Sequence, residues 1–256
     1  MKKIVLSTLC AVLFLGAATP EQVDRYLSIS NADEQLVELE QQFERMQENF
    51  SRMSQEEEVE RYDTQLLSIR FKEYLQKHLS DDEMDEILDL YKNVLLLRLV
   101  SASAQSQMDA DEIIRYLSEI ENDPQMQTRK RLVEKISDEM YDKASMALMF
   151  DDLMKPLLEN APGGEKMNQE MLEKSRKFYV EKMIEEARNE MLYATRDFTI
   201  EELEELEQIA KEPAIDRETK AVFGATAYAL KAFFLSLASR YDIGKHTPPA
   251  AAPKKQ

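Results

Sequence analysis

Two histidines, His78 and His246, are the only imidazoles in the 256 residues. Neither has a second ligand-type side chain at the close spacing of a metalloprotease, so a zinc site would have to be gathered from distant residues. His78 falls at the end of a predicted helix, where a basic ring complements the negative end of the helix dipole. Asp81-Asp82-Glu83 and Glu201-Glu202 are carboxylate clusters at helix starts. In a first helical turn, acids favour the helix electrostatically and face solvent. Asp109-Ala110-Asp111-Glu112 lacks the glycine and the downstream ligands of a calcium loop. There is no glycine-rich phosphate loop and no Gly-x-Ser-x-Gly elbow. The single cysteine, Cys10, lies in the N-terminal apolar run. No catalytic residue, cofactor or metal ligand is designated by these patterns.

Methionine is the more informative residue type. Met140, Met146, Met149 and Met154 share one predicted helix, with Leu148, Phe150 and Leu153 between them. Flexible thioether chains fill irregular cores, and they also line adaptable grooves that take varied polypeptides. Copper(I) held by thioethers is a third reading of the same residues. The last predicted helix offers a related choice. Ala221 to Ala238 is apolar apart from Gly224, Thr226, Lys231 and Ser236. A membrane span there would carry an unpaired lysine at a cost of about 2.5–3.5 kcal/mol. Burial as the central helix of the C-terminal half would instead stabilise by about 1.5–3 kcal/mol per large side chain before entropy is subtracted. Where that helix is left uncovered, Phe233 and Phe234 would form a partner-binding patch. The interaction patch expected from sequence is thus Met146, Met149, Phe150, Phe233 and Phe234.

These residues must be positioned by helices. Five glycines and eight prolines are few for the length, and alternating apolar-polar segments are absent. The fold expected is all-α, a multi-helix bundle. Two stretches organise it. Ser80 with Glu83, and Thr199 with Glu202, match the capping box, each preceded by an apolar residue (Leu79, Phe198) suited to a staple. Met84, Ile87, Leu88, Tyr91 and Leu95 follow at helical spacing in the first, and Leu203, Leu206 and Ile209 in the second. Such an echo fits two related helical halves, 19–108 and 109–242; one continuous helical domain fits it as well.

Other elements read in order. Pro20 opens a short helix to about Ser28, and Asn31 is the expected N-cap of a helix with Leu36, Leu39, Phe43, Met46 and Phe50 on one face. A third helix is expected from about Ser54, with Glu56-Glu57-Glu58 in its first turn, to His78. The first capping-box helix continues into Val94 to Val100, apolar on nearly every side and so central to the core. Asn122-Asp123-Pro124 breaks the chain, and a long helix follows from about Gln125 to Asn160, kinked near Pro156. Ala161-Pro162-Gly163-Gly164 is a loop. Helix resumes near Met167, and Pro213 ends the echo helix. Residues 243–256 have nothing to bury and read as a disordered tail.

Location is also written at the N-terminus. Lys2 and Lys3 precede a short apolar run from Ile4 to Leu15, and Gly16-Ala17-Ala18 offers small residues for cleavage before Thr19. Residues 1–18 therefore read as a signal peptide of a periplasmic protein, a retained N-terminal membrane anchor being the alternative. Cleavage would remove Cys10, leaving no thiol or disulfide. It would also remove two lysines and no acid from a chain already at −17. So much negative charge repels nucleic acid and anionic membrane surfaces.

The run Leu79 to Lys92, with Tyr26-Leu27-Ser28-Ile29-Ser30-Asn31-Ala32-Asp33 before it, resembles the exported bacterial family called domain of unknown function 2059, with the second capping box as a diverged copy. Where that family often has a Ser-Pro-x-Gly turn after the aromatic residue, this chain has Asn93-Val94-Leu95-Leu96. The resemblance implies an exported all-helical protein and carries over no catalytic residue. Together these readings suggest a non-catalytic module that binds an envelope protein or unfolded polypeptide. The competing expectation is an enzyme or small-ligand binder whose site is assembled from scattered residues, marked by a pocket of convergent polar groups.

Overall fold

The computed structural model describes residues 16–54, 61–106, 110–121, 123–141, 143–160 and 168–240. The apolar N-terminal run with Cys10, Glu56-Glu57-Glu58, Asp109, the loop at 161–164 and the tail with His246 lie outside the described residues. The fold is an all-α bundle of packed helices, with no strand among the described residues beyond one isolated bridge between Ala17 and Ser80.

Helix α1 (Pro20–Ile29) starts with a capping box that the sequence reading passed over. Thr19 accepts from Gln22 N–H, and the Gln22 side chain accepts from Thr19 N–H. The signal was Thr-x-x-Gln, with proline at the first helical position. Asn31 follows with a left-handed φ of 61°. It therefore turns the corner after α1 and stands directly before the next helix, at the expected N-cap position, its carbonyl accepting from Gln35 N–H at 3.4 Å. Asparagine is among the few side chains that tolerate that region. Helix α2 (Ala32–Ser54) carries Leu36 and Phe43 into the core. Its Gln47 is buried and grips the backbone of Tyr62 from both sides. The Gln47 amide donates to the Tyr62 carbonyl at 3.0 Å, and Tyr62 N–H donates back at 2.7 Å.

The third helix, α3 (Gln65–His78), begins eleven residues later than Ser54, because α2 extends to Ser54 itself. Helix α4 (Asp81–Leu90) has its capping box closed by Ser80 and Glu83, with Leu79 buried in front of it. The expected continuation into the apolar run is broken at Tyr91. Asn93 there accepts from Leu95 and Leu96 N–H at 2.8 and 3.3 Å, capping a separate helix, α5 (Val94–Ser106). Leu95, Leu96 and Leu99 are buried, while Val94 is 78% exposed, so the run is central on one side only.

Helix α6 (Ala110–Ile120) and a 3-10 turn (Pro124–Met126) lead into α7 (Gln127–Met140). The single long helix expected here is divided. It breaks after Met140, and α8 (Lys143–Met149) passes into a π-helical turn (Phe150–Met154) before α9 (Lys155–Asn160). Lys155 N–H bonds back to the Phe150 carbonyl, five residues away, just before Pro156 enters without a donor of its own.

Helix α10 (Gln169–Ala194) is capped by Asn168 and α11 (Ile200–Ala210) by the Thr199–Glu202 capping box. Two arginines clamp the turn between them. Arg129 donates to the Thr195 and Phe198 carbonyls at 2.7 and 2.5 Å. Arg98 donates to the Asp197 carbonyl at 2.8 Å, with its guanidinium 4.1 Å from the centre of the Phe198 ring. Pro213 opens the last helix, α12 (Pro213–Arg240), directly after α11 ends.

Helix α12 lies against α3 and α4 as well as against α7 and α8. Phe233 is fully buried with Phe43 at 4.3 Å and Tyr62 at 5.4 Å between ring centres. Arg217 of α12 pairs with Glu86 of α4. One buried cluster runs from Ala18 through Leu99 and Ile136 to Phe233, so residues of both sequence halves share a core. No described helix is long and apolar enough to cross a membrane. Lys231 instead lies 3.7 Å from Asp152.

Candidate functional site

Glu218 sits in the second turn of α12, on a stripe otherwise made of Ala214, Ile215, Ala221, Val222 and Ala225. Three- and four-residue spacing turns that stripe toward the core and takes the acid with it. Two tyrosines from other elements meet it there. Tyr26, on the buried face of α1, donates its hydroxyl to Glu218 Oε1 at 2.7 Å. Tyr91, the residue that ends α4, donates a short hydrogen bond to the same oxygen. Both rings are buried and meet edge to face, 6.0 Å between centres.

Burial pushes the Glu218 carboxyl above the usual carboxylate value, and the hydroxyl donations of Tyr91 and Tyr26 partly oppose that. Burial, reinforced by the nearby Glu218 charge, holds both phenols well above their ordinary value. Tyr141, just past the end of α7, is pushed up to about 12 by burial and then by the charge of Glu190. Tyr26, Tyr91 and Tyr141 therefore remain protonated donors at neutral pH.

These groups border a cavity of about 230 Å³. Its polar edge includes Ser30, Gln35 and Thr219; its apolar wall includes Leu96, Leu99, Met140, Met191 and Phe223. Thr219 Oγ1 donates to the Met140 carbonyl at 2.9 Å, fixing α12 against the end of α7. Among the described lining residues there is no Lys, Arg or His. The arrangement is an apolar pocket with one carboxylate and a few aimed hydroxyls, which is how small-molecule sites are commonly built. Among the described residues no group of three or more His, Cys, Asp or Glu could hold a metal ion.

The residues singled out from sequence lie elsewhere. Met146, Met149, Phe150 and Phe233 are all buried, and Phe234 is half-buried against Phe43 at 5.6 Å. The thioethers and rings of the first four are taken up in packing α8, the π turn and α12 against the rest of the core, and Phe234 keeps part of its ring at the surface. His78 closes α3, its Nδ1–H donating to the Tyr74 carbonyl at 2.9 Å while the ring stacks on Tyr74 at 3.7 Å. Glu83 and Glu202 bond their own cap residues, and Glu202 also meets Arg98 at 2.6 Å. Sequence reading missed the Glu218 site. The available signal was a lone acid on an apolar helical stripe; nothing in the sequence linked it to Tyr26 and Tyr91.

No family model, no curated protein and no solved structure matches this chain.

Proposed function

We propose that this chain is a helical protein of the cell envelope that binds a small molecule in the cavity at Glu218, in the periplasm after loss of its leader, and that it is kin to the family it resembles. The observation that carries the binding reading is the convergence of two buried tyrosine hydroxyls on one carboxylate oxygen at the wall of a cavity. Drawing a carboxylate part-way out of water and away from basic partners costs stability, and a group used only for packing would more cheaply be apolar. A ligand that meets the carboxylate supplies a reason to keep it. Binding of unfolded polypeptide through the methionine helix has less support, since Met146, Met149 and Phe150 are enclosed.

The test is a melting screen of small amines, acids, alcohols, sugars and nucleosides against the full chain and its Glu218→Gln variant. A ligand present at roughly a hundredfold its Kd stabilises by about 2.7 kcal/mol. We expect at least one class to raise the wild-type Tm by several degrees and the variant's by much less. If no class does so, or if both proteins respond equally, the cavity is not the binding site.

A further inference from the structure

The ligand's chemistry follows from what the cavity lacks, and this step rests on the small-molecule reading above. Tyr26 and Tyr91 both donate to Oε1 of Glu218. Oε2 has no partner among the described residues. The basic side chains flanking Glu218 on its own helix are committed elsewhere, Arg217 to Glu86 of α4 and Lys220 to Asp216 at 2.8 Å. No basic side chain among the described residues replaces them in the lining. An ionised carboxylate there has donors but no counter-charge. Four aromatic rings, those of Tyr26, Tyr91, Tyr141 and Phe223, border the same space. Aromatic faces attract cations, most strongly where water is excluded. We infer that the cavity takes a small organic ammonium ion, its charge against Glu218 and its carbon substituents against the aromatic and aliphatic wall.

Size agrees with that class. A volume of about 230 Å³ holds about seven or eight waters at roughly 30 Å³ each, so the occupant has a handful of carbon and nitrogen atoms. An anion of that size would meet the Glu218 charge with no cation to offset it. A neutral alcohol could donate to Oε2 but would leave the charge uncompensated.

The experiment is calorimetric titration of the full chain with butylammonium and tetramethylammonium chloride, compared with 1-butanol and sodium butyrate at matched ionic strength. We expect at least one ammonium ion to bind about tenfold or more tighter than butanol, with butyrate weaker still. That advantage should vanish in Glu218→Gln. A second measurement needs only the wild type: tetramethylammonium does not titrate, so its affinity should fall on acidification as Glu218 becomes protonated, while butanol's should not. Butanol or butyrate binding as well as the ammonium ions, and lost in Glu218→Gln, would overturn the ammonium assignment and leave the small-molecule reading standing. Ammonium binding that ignores both the substitution and the pH would overturn the assignment to this cavity. Absence of heat from all four would overturn the ammonium class, the broader melting screen then deciding whether the cavity binds anything.

Discussion

Glu218 ties the chemistry of the site to the stability of the fold. Its folded value lies above its unfolded one, chiefly through burial. The native protein therefore holds that proton more tightly than the unfolded chain does, and stability from this group declines as pH rises from the unfolded value through the folded one. Other acids run the opposite way. Glu83 is held low, first by the Ser80 N–H, and Glu207 first by the Lys211 ammonium. A raw pH profile would mix these, so the informative quantity is the difference between wild type and Glu218→Gln. Between about pH 7 and about pH 4, urea unfolding should show the wild type gaining on the variant as pH falls. A flat difference would mean that Glu218 is solvated like an ordinary surface acid, and a reversed one that the two hydroxyl donations outweigh its burial.

At the scale of elements, α12 meets α3 at Gly224, where Tyr74 lies against the bare backbone. A Cβ there would overlap the Tyr74 hydroxyl and ring edge, with ring carbons at 2.6 and 2.8 Å. Alanine in an exposed helix would gain about 1 kcal/mol over glycine. Here the overlap should reverse the sign, because Tyr74 is itself stacked on His78 and lies 5.8 Å from Tyr228 between ring centres. Gly224→Ala should destabilise by about 1–3 kcal/mol in chemical denaturation. Combined with Tyr74→Ala it should cost less than the two changes added together. Much of the bundle was legible before any coordinates. The capping boxes at Ser80 and Thr199 and the apolar stripe of α4 are local, and a few neighbouring residues specify them. The breaks at Asn93 and Met140 were less legible, since an apolar run such as Val94 to Val100 looks the same whether it continues a helix or begins one. The site was not legible at all. Tyr26, Tyr91 and Glu218 are brought together only by the packing of α1, α4 and α12, and each alone resembles a routine core or surface residue.

At the scale of the whole molecule, the chain's first described residues are part of the folded body. Ala18 N–H donates to the Leu79 carbonyl at 2.9 Å, and Asp81 N–H to the Gly16 carbonyl at 3.0 Å. Gln22 reaches the Asp81 carbonyl and the Asp85 carboxylate from the same side. A chain beginning at Thr19 would lose the two backbone bonds, each worth about 0.5–1.5 kcal/mol. It would also place an ammonium at the positive end of α1. Its urea midpoint should be lower than that of a chain beginning at Gly16, and equal midpoints would show that the bridge adds nothing. The same bridge bears on the export proposed above. The bond that the proposed export would cut lies between Ala18 and Thr19, where Ala18 is only 4% exposed and its backbone already engaged. A processing protease needs an accessible, extended strand, and this one is occupied once the helices have docked. On that proposal, maturation at this bond would be a race against folding: a molecule that folded first would keep its leader.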